Sequence, residues 1–220
     1  MIKCAIFDLD GTLCNTLVTI RHYVNQTIEK FGAEPISPEE CRQFIGRGAR
    51  NLISRTMESR KMDMELFDEV YSEYNRAYDA NPYYLTVPYD GIAELLSELK
   101  SLGIKLAVLS NKPQAATVGT VEHFFPNTFS ALFGGRDGAP LKPAKESVNE
   151  VLSALSASAD EAAYVGDSDV DVLTIKAANP KIGIAVSYGF RTKDELIEAG
   201  AELILDTPKD VMDYITKNEA

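Results

Sequence analysis

The chain has 220 residues, 45% hydrophobic and 25% charged, which is enough apolar material for one domain or a domain plus an insertion. The formal net charge of −11, with no block of Lys and Arg, speaks against a nucleic-acid backbone as partner. It leaves small anionic substrates open, because charge inside a cleft can oppose the global sign. Cys4, Cys14 and Cys41 form no Cys-x-x-Cys pair, His22 and His123 are the only histidines, and no apolar run approaches membrane length. The expectation is therefore a cytoplasmic protein with no disulfide framework, zinc site, signal peptide or membrane span.

In chain order, the first predicted strand is Lys3–Phe7, which runs into the acids Asp8 and Asp10 and then Gly11-Thr12. From about Asn15 to Tyr84 the pattern is helical, with no convincing strand. Leu17, Ile20, Val24, Ile28 and Phe31 mark one helix, and Ser37-Pro38-Glu39-Glu40 is a capping box that opens a second. Ala49–Met57 suits a third, and Leu66, Phe67, Val70, Tyr71, Tyr74 and Tyr78 stripe a fourth. Pro82 and Pro88 fall where the chain would return to the sheet.

A helix on Ile92, Leu95, Leu96 and Leu99 follows, and then a strand over Lys105–Ser110. Ala131–Phe133, Ala163–Gly166, Ile182–Ser187 and Leu203–Leu205 read as further strands. Helices are predicted on Val148, Val151, Leu152 and Leu155, and on Val211, Tyr214 and Ile215 behind the cap Thr207-Pro208. Continuous apolar strands alternating with helices indicate a doubly wound, Rossmann-like parallel sheet of the α/β class. The predicted division is 1–14 in the core, 15–86 as an inserted helical module, and 87–220 as the rest of the core.

In such a sheet, ligands bind at the carboxyl ends of the strands. Those ends carry Asp8 and Asp10, Ser110-Asn111, and Asp167 followed by Asp171, with Lys142 in the loop "PLKPAKE". Carboxylates converging on one pocket repel each other unless a cation neutralises them, and hard oxygen ligands suit Mg²⁺. Beside such an ion, a hydroxyl and an ammonium make a cradle for phosphate oxygens.

"DLDGT" after the first strand, a strand ending in Ser-Asn, a loop lysine before proline, and "YVGDSDVD" together resemble the haloacid dehalogenase-like hydrolase superfamily. The resemblance runs from Ile2 to about Leu205 in the family's motif order. "GIKLAVLSNKP", "IGRGARNLI" and "YGFRTKDELIEAGAELILD" resemble its phosphoglycolate-phosphatase branch, and the helical insertion resembles that family's cap.

The resemblance implies a Mg²⁺-dependent phosphatase acting on a small phosphorylated metabolite, as a monomer or homodimer with no nucleic-acid or membrane partner. Asp8 would be the nucleophile and Asp10 the acid and base. Mg²⁺ would be held by Asp8, Asp167 and the backbone carbonyl of Asp10. Ser110, Lys142, the backbone near Gly11 and the amide of Asn111 would bind the phosphoryl group. Asp171 would orient a metal-bound water or Lys142.

Other readings stand beside these. Asn111 serves equally well as turn chemistry, Asp169 as a helix-N-terminal acid, and Arg47 or Arg50 as a partner for a substrate carboxylate. A sugar-phosphate mutase like β-phosphoglucomutase would share the core residues, and a phospho-Asp receiver module would share most of them. Departures from the family pattern are Asn15 where relatives often have aspartate, "KPAKE" without a second proline, and Pro180 where glycine is commoner.

Overall fold

The computed structural model describes residues 1–218. A six-stranded parallel sheet forms its centre, in the order β5-β4-β1-β6-β7-β8. These strands are β1 (Cys4–Phe7), β4 (Lys105–Pro113), β5 (Ala131–Gly135), β6 (Ala162–Gly166), β7 (Ile182–Val186) and β8 (Ile204–Leu205). The sheet is buried on both faces because alternate residues point to opposite sides. Ala5 and Phe7 pack with Leu106, Val108 and Val165 against α5 (Ile92–Ser101) and α10 (Pro208–Lys217). Cys4, Ile6, Ala107 and Tyr164 pack on the other side against α7 (Lys145–Leu155).

The chain moves outward from β1 to β4 and β5, then crosses back to β6 on the other side of β1. Such a reversal opens a crevice at the strands' carboxyl ends. The predicted strands exist, but β4 runs past Ser110 to Pro113, with a register irregularity between Leu109 and Pro113. The helices α6 (Gln114–Phe124), α8 (Asp169–Ala178) and α9 (Lys193–Ala199) complete the covering layers. Thr207 caps α10 with Pro208 in its first turn, as the sequence indicates.

The helical insertion contains α1 (Leu17–Lys30), α2 (Pro38–Phe44), α3 (Ala49–Ser59) and α4 (Phe67–Ala80). Ser37 and Glu40 form the expected reciprocal capping box at α2. Val24, Ile28, Ile53, Met57 and Val70 build a separate apolar core, joined by Phe190 and Ala116 from the sheet domain.

Among the elements absent from the sequence reading, Cys14–Asn15 is a short strand, β2, paired antiparallel with β3, Val87–Pro88. Two residues per strand give no periodicity to detect, and the pairing joins positions at opposite ends of the insertion. This ribbon is where the chain leaves the sheet domain and where it returns.

Candidate active site

Three strand ends and one loop meet at the crevice. Asp8 follows β1, Ser110 and Asn111 lie near the end of β4, Asp167 follows β6, and Lys142 sits in the loop before α7. Asp8, Ser110, Asn111 and Lys142, together with the insertion, line a cleft whose other walls include Ile20, Ile45, Leu52, Tyr74, Tyr78 and Phe190.

At its floor, Lys142 Nζ lies 2.9 Å from Asp8 Oδ2 and 2.8 Å from Asp171 Oδ1. Burial opposes its charge, but the two carboxylates outweigh burial and hold the ammonium above its usual range. Asp171 is fully buried, yet Lys142 and hydrogen bonds from Ser168 and Tyr164 keep its carboxyl below the ordinary value. Ser168 caps α8, and its hydroxyl donates to Asp171 Oδ2 at 2.6 Å while Tyr164 OH donates to Oδ1 at 2.8 Å. Asp171 thus spends its lone pairs on protein donors and anchors Lys142.

Asp8 and Asp167 are in the opposite condition. Burial pushes the Asp8 carboxyl well above its usual range, with Asp171, Asp167 and Asp10 adding repulsion that Lys142 only partly offsets. Burial, then Asp171, raises Asp167 to about 7. Its oxygens accept from Thr12 Oγ1 at 2.8 Å and from the Phe190 amide at 2.7 Å. Oxygens of Asp8, Asp167 and Asp171 lie within 4.8 Å of one another.

A divalent cation fits this donor set. Two buried carboxylates at raised pKa, close together and short of positive charge, are a site in which a hard cation would relieve the repulsion. Asp10's side chain is not in that cluster, so its share in a metal site would fall to its backbone.

Gly11 plays a different part from the expected one. Its amide donates to Cys14 O at 2.9 Å, so it is not free for a phosphate. With φ at +90°, an added Cβ would sit 2.2 Å from Asp167 Oδ2. Glycine here makes room for the carboxylate.

Asn111 is a brace. Its side chain donates to Gly46 O and Lys142 O at 3.1 and 3.0 Å and accepts from the Lys142 amide at 2.9 Å. It therefore fixes the lysine loop against the insertion. Ser110 Oγ is buried near the cleft floor and accepts from the Lys112 amide at 3.3 Å.

Arg47 sits in the glycine turn before α3, is half exposed, and pairs with Asp169 at 2.8 Å; it is not among the cleft-lining residues. Asp169 occupies the first turn of α8, as its helix-terminal reading has it. Arg50 pairs with the exposed Asp68.

Sequence reasoning missed three residues. Lys112, buried in the cleft wall, pairs with Asp10 Oδ1 at 2.9 Å. Its signal was a place two residues beyond Ser110 on the same strand. Thr12 belongs to the quoted "DLDGT" but was given no partner. Phe190 reads as an ordinary core aromatic, whereas its amide holds Asp167.

The haloacid dehalogenase-like hydrolase family model matches residues 5–185. The chain belongs to this family. It is 31% identical over 210 residues to a phosphoglycolate phosphatase of Pseudomonas fluorescens, covering 93% of this chain and 76% of that one. It is 34% identical over 196 residues to the phosphoglycolate phosphatase of Cereibacter sphaeroides, covering 84% and 85%. Among solved structures, a protein of Lactobacillus delbrueckii subsp. bulgaricus, provisionally named phosphoglycolate phosphatase, superposes with a TM-score of 0.88 at 29% identity, covering 97% and 98%. CbbY of Rhodobacter sphaeroides, solved with phosphate, gives 0.79 at 25% identity, covering 96% of each chain.

Proposed function

We propose that this chain is a Mg²⁺-dependent phosphatase that hydrolyses a small phosphomonoester, 2-phosphoglycolate or a close analogue, through an aspartyl phosphate on Asp8. The observation that carries this reading is the cleft floor: Asp8 Oδ2 lies 2.9 Å from the buried Lys142 ammonium, and Asp167 converges on the same point. Relatives named phosphoglycolate phosphatase at 31% and 34% identity supply the substrate class.

A Mg²⁺ ion held by Asp8, Asp167 and the Asp10 carbonyl would neutralise phosphate charge and polarise the phosphoryl group. Lys142 and the Ser110 hydroxyl hold the equatorial phosphate oxygens and spread the charge of the transition state. An Asp8 oxygen attacks phosphorus, and the bond from phosphorus to the ester oxygen breaks. Asp10 gives its proton to the departing alkoxide. As a carboxylate, Asp10 then takes a proton from water, which attacks phosphorus and frees Asp8 and inorganic phosphate. The insertion packs over the cleft and keeps bulk water from the intermediate.

Phosphate release from a panel of phosphomonoesters, with Mg²⁺ and with EDTA, tests the reading. Metal-dependent release is expected, and Asp8→Asn should lose it while keeping the fold. Near-wild-type turnover in Asp8→Asn overturns the nucleophile assignment. Isomer formation without phosphate release makes the chain a mutase instead.

A further inference from the structure

Three cationic side chains line the cleft among the described residues: Lys112, Lys142 and Arg191. Two already have their places: Lys142 at the phosphoryl floor and Arg191 against the insertion's backbone. Lys142 holds Asp8 and Asp171. Arg191 pairs with Asp169 and donates to the backbone carbonyls of Arg42 and Ile45.

Lys112 differs. Its side chain is only 3% exposed, and its head donates to Asp10 Oδ1 at 2.9 Å and to the Tyr78 hydroxyl. The Tyr78 ring centroid lies 4.6 Å away. An ammonium carries three protons, and these partners engage two of them. Tyr78 belongs to α4, so the head lies at the seam between sheet domain and insertion. Asp79 follows on α4 in the cleft wall; burial raises its carboxyl, and Lys112 offsets that only in part. On β4, Lys112 stands two residues past Ser110, within the strand's irregular stretch, and its amide donates to Ser110 Oγ at 3.3 Å. With a phosphate seated on Ser110 and Lys142 in the same cleft, Lys112 is the cleft ammonium left to meet the rest of the ester.

We propose that Lys112 is a specificity-determining residue that receives a substrate carboxylate carried one or two carbons from the phosphate ester. The inference rests on the phosphatase reading above and assigns the carboxylate to Lys112 rather than to Arg47, whose guanidinium pairs with Asp169 outside the cleft lining. A buried ammonium discriminates strongly, because a neutral analogue leaves its charge without the added partner.

The test compares kcat/KM for 2-phosphoglycolate with that for ethyl phosphate, an ester of similar size that lacks the carboxylate. The wild-type enzyme should prefer the carboxylate by on the order of 10²-fold. Lys112→Met, checked for folding by circular dichroism, should lose most of that ratio, and Lys112→Arg should retain part of it. If the wild type hydrolyses neither ester, nor any other phosphomonoester in the panel, the phosphatase reading fails. Equal hydrolysis of both sinks only the role of Lys112, and this arm needs no variant. A Lys112→Met enzyme slowed equally on both esters means that the lysine acts through Asp10 alone, which also overturns the proposal. So does a ratio that collapses in Arg47→Ala and survives in Lys112→Met.

Discussion

Replacing Lys142 with Met tests the electrostatic logic of the cleft floor. The wild-type ammonium is buried between Asp8 and Asp171, and oxygens of three aspartates lie within 4.8 Å of one another. Methionine fills similar space but removes the positive charge. Two like charges about 4 Å apart at an effective dielectric near 20 repel by about 4 kcal/mol. Breaking a buried ion pair from one side costs about 3–5 kcal/mol. For a chain of 220 residues, at about 2–4 °C per kcal/mol, the melting temperature should fall by about 6–20 °C at pH 8 in EDTA.

The pH dependence supplies a sharper signature. Without the lysine, the buried carboxyls have folded pKa values above their unfolded ones. Their protonated forms stabilise the fold fully below the unfolded pKa, and that contribution is lost as pH rises through the folded values. The gap between variant and wild type should therefore be small near pH 5 and widest near pH 8, and Mg²⁺ should narrow it. Thermal melts by circular dichroism at three pH values give the answer. A gap under about 2 °C at pH 8 in EDTA, or one that does not widen with pH, refutes the reasoning.

Asp167, raised from 3.8 to about 7 in the folded protein, makes the wild type pH-sensitive when metal is absent. Its contribution is complete below the unfolded value of 3.8 and is lost as pH rises through about 7, so the thermal shift produced by Mg²⁺ should grow from pH 5 to pH 8; equal shifts contradict this. Gly11→Ala should cost roughly 2 kcal/mol or more and weaken Mg²⁺ binding measured by calorimetry, since its Cβ would meet Asp167 Oδ2 at 2.2 Å with φ at +90°. Unchanged affinity and melting temperature would show that Asp167 does not depend on that space.

What could be read from the sequence follows from the range of each interaction. The strands of the sheet are continuous apolar runs, and burial on both faces leaves that mark locally. The acids that end β1 and β6 are legible for the same reason, since a charge that interrupts such a run has few structural uses. The helices of the insertion announce themselves by period and by the Ser37–Glu40 box. Partnerships across the fold leave no such trace. Lys112 meets an aspartate 102 residues away, and Thr12 meets Asp167 across 155. Both side chains are polar, and a polar residue beside a turn looks the same whether it is solvated or buried. The β2–β3 ribbon is too short to show alternation.

Phe190 marks the deepest limit of that reading and is one of the links between the insertion and the sheet domain. Its ring is buried in the apolar core of the insertion, while its backbone belongs to the segment after β7. Its amide donates to Asp167 Oδ2 at 2.7 Å, and its carbonyl accepts from Arg42 of α2 at 2.7 Å. Next to it, Arg191 donates back to the Arg42 carbonyl at 2.7 Å. Displacing the insertion would pull on the ring, break both arginine bonds and disturb the amide that orients Asp167. The position of the insertion and the geometry of Asp167 are therefore joined at Phe190, whose hydrophobic side chain gives no hint in the sequence of what its backbone holds.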